Sequence, residues 1–258
     1  MQHPSRSILF LLLLSLVILA APAAADTAGT PLLANELAIR QAHMDLVSYT
    51  REVEMNAAIT YIYPLRMTDT ARLNALLAEY RAEEAKIKSA STMEEFENIT
   101  RSMRAITEEF RTGMNLQMEK GYGKPNDLAI AVHGATINNP YIEQRKAAYW
   151  TARKTGQLAD FDAYVRESQA SLDTLKAGGF PVAPAQRTLD VLASKRPVLV
   201  AALDARSEER IAAAGDVILP LSVDLGTQAE GAQGEVSEAE RMQFYIDQGY
   251  RIVSRADA

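Results

Sequence analysis

The sequence predicts an all-α protein of long antiparallel helices, forming an elongated bundle or paired helical hairpins with coiled-coil-like packing. Three observations carry that expectation. Hydrophobic residues make up 48% of the 258 residues and charged ones 23%, the balance of a globular chain, and the abundant Ala, Leu, Glu and Arg favour helix. Phe96, Ile99, Met103, Ile106 and Phe110 recur at spacings of 3, 4, 3 and 4, the seam along which one helix packs on another. The stretch YTRE, residues 49–52, returns as YVRE, residues 164–167, which points to one helical hairpin written twice.

Residues 1–25 read as a secretory signal peptide. Arg6 and the free amine precede an apolar run over residues 8–21, and Ala23-Ala24-Ala25 offers an A-x-A cleavage site. That run is roughly 14 residues long, against about 20 for a membrane-spanning helix, which argues against an uncleaved anchor. The chain has no cysteine, so a lipoprotein anchor, disulfides and thiolate chemistry are excluded. The net charge is −6, and loss of Arg6, the one charged side chain in the segment, takes it to −7. A general nucleic-acid binder should be basic instead.

A first hairpin region spans 26–125. Its first helix is expected over about 33–62, stopped by Pro64, whose ring disfavours helix in the preceding residue. Asp69 is a suitable N-cap for a second helix with the core stripe Leu73, Leu76, Tyr80 and Ile87. Ser91-Thr92-Met93-Glu94 has the form of a capping box, in which the serine hydroxyl and the glutamate satisfy each other's backbone donors, so a third helix should start there. Gly121 and Gly123, with Pro125 beyond, should end it.

A second hairpin region, 126–225, opens with a short helix or irregular connection over 126–137. Pro140 is placed as the first residue of a helix reaching about Leu175, with a break near Gly156 because an interior glycine costs about 1 kcal/mol relative to Ala. Gly178-Gly179 should end it in the left-handed conformation. Pro181 and Pro184 bracket the next turn, and Leu189, Leu192, Leu199 and Leu203 form a stripe on a helix kinked by Pro197. Ile211, Ile218, Leu221 and Leu225 continue into a helix kinked at Pro220. Residues 226–236, rich in glycine, read as a flexible linker. Ser237-Glu238-Ala239-Glu240 reads as a second capping box that starts a C-terminal helix within 237–258.

From Tyr49 to Leu73 is 24 positions and from Tyr164 to Leu189 is 25, each interval holding helix and a proline-containing turn. Continuing at the second offset, Ile87 falls on Leu203 and Ser91 on Ser207. The two halves share one hairpin plan, by duplication or by convergent heptad patterning. Tyr49, Arg51, Tyr164 and Arg166 are accordingly expected to be packing and surface ion-pairing groups.

The passage LDTLKAGGFPVAPAQRTLDVLASKRPVLVAALDARSEERI, residues 172–211, resembles a class of uncharacterised exported helical-hairpin proteins of methanogenic archaea. The resemblance lies in a Gly-Gly turn followed by Leu-x-x-Leu and covers roughly residues 40–215. It implies an exported helical protein and brings no activity and no site residues.

Few residues point to chemistry. His43 and His133 are 90 positions apart, in no H-x-x-x-H or H-E-x-x-H pattern, so no metal or other cofactor is expected. His43 reads as a surface or boundary group and His133 as partly buried between helices. There is no G-x-S-x-G elbow and no phosphate loop, and pairs such as Glu83-Glu84 and Glu108-Glu109 read as solvated helix faces. Met93, Met103, Met114 and Met118 fall at helical spacing, which favours core packing over copper(I) binding.

The distinctive surface segment is QRKAAYWTARK, residues 144–154, with four bases and two aromatics in an otherwise acidic chain. On a continuous helix Lys146, Trp150, Arg153 and Lys154 come to one side and become the candidate binding residues for an anionic polymer or an envelope protein. The competing arrangement turns the aromatics to the core and leaves the bases solvated. No catalytic residue stands out.

The chain is thus expected to be an exported, non-catalytic binding or structural protein at the cell surface or in the extracellular space. Self-association is a further partnership, and neither nucleic acid nor lasting membrane attachment is expected. The enzyme alternative is an envelope-directed hydrolase using carboxylates. N-terminal sequencing of the exported chain should read from Asp26; a chain still carrying Met1 would refute cleavage.

Overall fold

The computed structural model describes residues 31–64 and 70–247. The expected signal segment, Asp69 and residues 248–258 lie outside them. Among the described residues every regular element is helical, so the fold is all-α. They divide between Gly156 and Gln157 into two compact units. The division is not at 125/126, because the short helix after Pro125 packs back on the first helix.

In the first unit, α1 (Pro31–Ile62) stops before Pro64, and α2 (Ala71–Glu84) leads through a 3-10 turn (Ile87–Ser89) to α3 (Met93–Glu119). Leu73, Leu76, Tyr80 and Ile87 are all buried, none above 2% exposure, so the expected stripe is the floor of the core. Met55, Ile59 and Ile62 of α1 and Phe96, Met103 and Phe110 of α3 belong to the same cluster. Ile99 and Ile106 are half-buried against it, so the seam is not sealed at every rung. Met103 and Met114 are buried and Met93 and Met118 pack beside them, as core methionines do.

The start of α3 lies one residue later than the capping box suggests. Thr92 is the N-cap and accepts from the Glu95 backbone N–H at 3.1 Å. The Glu95 carboxylate accepts from the backbone N–H and the hydroxyl of Ser91 at 2.8 and 2.9 Å, bonds that hold its carboxyl below the usual range. At the other end Gly121 and Gly123 have φ of 80° and 106°. A Cβ on Gly123 would stand 2.7 Å from Tyr61 Cε1, so turn and close approach both demand glycine there.

Residues 125–136 form a helix, α4 (Pro125–Thr136), rather than an irregular connection. Leu128 and Val132 pack on the core, while Ile130 faces outward at 70% exposure. Asn139 then caps α5 (Pro140–Ala177), its Oδ1 accepting from the backbone N–H groups of Tyr141 and Ile142 at 3.0 and 3.3 Å. α5 passes through Gly156 without a break. A Cβ there would lie 2.7 Å from Ile39 Cδ1, so this glycine marks a close approach to α1 and not a helix stop.

The second unit contains the latter part of α5, then α6 (Ala183–Ala193), α7 (Arg196–Asp204) and α8 (Glu208–Asp247). Pro197 does not kink one helix; it lies in the first turn of α7, after a break at Ser194-Lys195, where its missing N–H forfeits no helical bond. The stripe survives the break, with Leu189, Leu192, Leu199 and Leu203 all buried. α8 carries Pro220 in its interior and continues through residues 226–240. The expected flexible linker and second capping box are therefore corrected to helix interior. Glycine weakens helix by about 1 kcal/mol without forbidding it, and the buried Leu225 and Ala232 bracket Gly226 and Gly231, holding the segment by packing.

The two units keep a common register. Ile62 and Ala177 end their helices 115 positions apart, the separation of Tyr49 from Tyr164, and Met93 and Glu208 begin theirs at the same offset. Phe96, Met103, Phe110 and Gln117 are buried on α3, and Ile211, Ile218, Leu225 and Ala232, each 115 positions on, are buried on α8. Ser207 repeats the Thr92 cap, accepting from the Arg210 N–H at 3.3 Å. The 116-residue offset at the leucines is thus a one-residue difference confined to the short middle segment. The units part where α3 stops: Gly121 and Gly123 correspond to Val236 and Glu238, through which α8 runs on.

Met103→Asp should abolish much of the helical circular-dichroism signal, since an unpaired buried carboxylate costs several kcal/mol. Ile106→Asp, at a half-buried rung, should lower the urea midpoint and leave the helices in place. Equal damage from both would show that burial along the seam is not graded.

Candidate binding groove and its buried charge cluster

Lys146, Trp150, Arg153 and Lys154 do not form one open face. Lys146 is exposed, 3.6 Å from Glu143; Trp150 and Lys154 are half-buried, and Arg153 is 5% exposed. Arg153 Nη1 donates to the Tyr149 hydroxyl at 2.7 Å, and its guanidinium carbon lies 5.2 Å from the Trp150 ring. Tyr149 in turn packs on His43, ring centroids 4.9 Å apart. Burying a guanidinium is costly unless such partners replace water, so the inward aromatics hold Arg153 within the fold. Of the four residues expected on one anion-binding face, Lys146 is thus exposed, Trp150 and Lys154 are half-buried and Arg153 is enclosed. His133 is exposed on α4, not buried between helices.

A different site lies wholly within the first unit. Tyr49, Glu52, Val53, Asn56, Ala57, Thr60 and Tyr61 form one stripe of α1, at the i, i+3, i+4 spacing that puts residues on one helix face. Ala131 and Ala135 of α4 oppose it, Asn139 and Arg81 close its borders, and together they enclose a groove of about 540 Å³. Small side chains on both helices leave the space: Ala57, Ala131 and Ala135 cannot fill what larger groups would.

Several lining groups are already engaged. The Tyr61 hydroxyl accepts from the Lys124 backbone N–H at 2.9 Å, Thr60 donates to the Asn56 carbonyl at 2.8 Å, and Asn139 is the α5 cap. Arg81 uses Nε on Glu52. The Asn56 carboxamide, the Tyr49 hydroxyl and the terminal nitrogens of Arg81 make no hydrogen bond to other described residues and line the groove.

Behind this wall sits a charge cluster. Ser48, fully buried, donates to Glu84 Oε1 at 2.9 Å, and Glu52 is a neighbouring carboxylate. Asp45 bridges Lys88 at 3.0 Å and Arg145 at 3.3 Å, and the Arg145 guanidinium covers the Tyr49 ring at 3.8 Å. Burial pushes the Glu84 carboxyl above the usual carboxylate range; Ser48 and Arg145 oppose that rise and Glu52 reinforces it. Tyr80 beside it is also raised, first by burial and then by Glu84.

No family model, curated protein or solved structure matches the chain. Among the described residues no group of three or more His, Asp or Glu is placed to hold a metal ion, and no helix is long and apolar enough to cross a membrane.

Glu84 should make stability depend on pH in a defined sense. The folded chain holds this proton more tightly than the unfolded one, so its contribution is complete below the ordinary value of 4.5 and is lost as pH rises through the raised one. Glu84→Gln keeps the Ser48 bond and removes the titration. Its urea midpoint should gain on wild type between pH 4.5 and neutrality; a constant difference across that range would contradict the assignment.

Proposed function

We propose that this is an exported, non-catalytic helical protein that acts by binding at the cell surface or in the extracellular space, with the α1–α4 groove as its ligand seat. The observation that carries the reading is that Tyr49, Asn56 and Arg81, whose polar groups are not all engaged, line a space together with small side chains. Small-ligand sites combine a cavity of about 300–1,000 Å³ with a few convergent polar groups. Export rests on the signal-like segment, and the anionic polymer or envelope protein expected at residues 144–154 loses its strongest support with the burial of Arg153.

The hydrolase reading has one observation in its favour, the Glu52–Glu84 pair. Glycosidase carboxyls flank the bound substrate, whereas Glu84 is half-buried behind the groove wall and bonded to Ser48. Glu84 is also not among the residues lining the groove. The pair therefore supports a structural role better than a catalytic one.

A ligand-observed NMR screen of the chain from Asp26 onward, across sugars, amino acids, amines and fatty acids, tests the reading. Hits should disappear in Asn56→Trp, which fills the groove from an exposed position. Hits that persist would move binding elsewhere, an empty screen would overturn the reading, and chemical conversion of a hit would favour the hydrolase.

A further inference from the structure

We infer that the groove takes a neutral, hydroxyl-rich ring ligand, a short hexopyranose oligosaccharide. The inference rests on the binding reading above and names its ligand class. The first argument is charge: Glu52 and Arg81 stand side by side on the groove wall, 2.7 Å apart. An anionic ligand meets Glu52 and a cationic one meets Arg81. A hydroxyl both donates and accepts, so neighbouring hydroxyls on a ring can give a hydrogen bond to Glu52 and take one from the terminal nitrogens of Arg81. Both partners are satisfied without breaking the Nε bond between them.

The second argument is the mixture of the remaining groups. The Asn56 carboxamide and the Tyr49 hydroxyl each offer a donor and an acceptor, matching a ligand that presents both at close intervals. Val53, Ala57, Ala131 and Ala135 are the apolar lining, too small and too interrupted to hold an acyl chain. The Tyr61 ring supplies a flat apolar surface, its hydroxyl fixed by Lys124, so the ring is held in place before any ligand arrives. Such preorganisation lowers the ordering cost of binding.

The third is extent. From Tyr49 to Tyr61 the stripe runs about 18 Å along α1 at 1.5 Å per residue, a length for several linked rings rather than one. The groove is confined to the first unit. At the matching positions of α5, Asn56 and Thr60 are replaced by Ser171 and Leu175, and α8 continues where α4 would begin.

Saturation-transfer NMR on the chain from Asp26 onward, with maltose and cellobiose as probes and decanoate and glutamate as controls, tests this. The disaccharides should show transfer and the controls none. Arg81→Met and Asn56→Ala, both at exposed positions and checked for unchanged helical circular dichroism, should each weaken disaccharide binding by about tenfold, the loss expected when a charged or bidentate hydrogen-bonding group is removed. Retention on amylose or cellulose, released by the matching disaccharide, would assign the source to a polymer; soluble binding without retention would assign it to free oligosaccharide, and both support the class. Absence of transfer from either disaccharide, or transfer unchanged in both variants, overturns it. Binding of decanoate or glutamate that Asn56→Trp abolishes would keep the groove as a seat and remove the sugar assignment alone.

Discussion

Burial of a short two-piece segment between long helices is the constraint on which both units depend. There is no cysteine to staple the chain, so apolar packing must supply what a disulfide would. Leu73, Leu76 and Ile87 in one unit, and Leu189, Leu192 and Leu203 in the other, are all at or below 2% exposure. Each fully buried leucine or isoleucine contributes about 1.5–3 kcal/mol relative to exposure. Because the segment is clamped on its apolar side, the joints at its two ends are fixed, and the 115-residue register follows from joints that must fall at equivalent places.

The same packing makes the groove available. α1 gives Met55, Ala58, Ile59 and Ile62 to the core, and Asn56, Ala57 and Thr60 between them are left to line the groove, with Tyr61 packed at the core's edge. The groove side of the helix is covered only in part, because α4 contributes no fully buried residue and meets α1 through alanines. Gly121 and Gly123 create this arrangement by stopping α3 and turning the chain back. Where they are replaced by Val236 and Glu238, the helix runs on.

Charge is placed under opposing pressures at two points. Glu84 is half-buried and kept by a serine hydroxyl and a nearby arginine, yet desolvation and its neighbour Glu52 still raise its proton affinity. Arg153 is more deeply enclosed, and an aromatic pair and a tyrosine hydroxyl take the place of water around it. A charge enclosed in this way is a weak source of stability and a strong constraint on neighbouring side chains. That is why a basic segment that looks solvent-facing on paper is half packing.

By itself the sequence determined the helical class, the stops at Pro64, Gly121, Gly123 and Gly179, and the stripes Leu73–Leu76–Tyr80–Ile87 and Leu189–Leu192–Leu199–Leu203, because these depend on local backbone geometry and on helical period. It also showed the repeated hairpin plan, through YTRE and YVRE. Only the tertiary structure decided that Gly156 is a contact and not a break, that the glycines after Leu225 lie in helix, and that Pro197 opens a helix rather than bending one. For the glycines a weak local preference, about 1 kcal/mol, yields to packing, and for Pro197 the break before it places the ring where it costs no helical bond. The groove was illegible because it too arises from packing. Tyr49, Glu52, Asn56 and Thr60 are an ordinary polar helix face in one dimension, and they become one wall of a groove when α4, which begins 63 positions beyond the end of α1, sets two alanines opposite them.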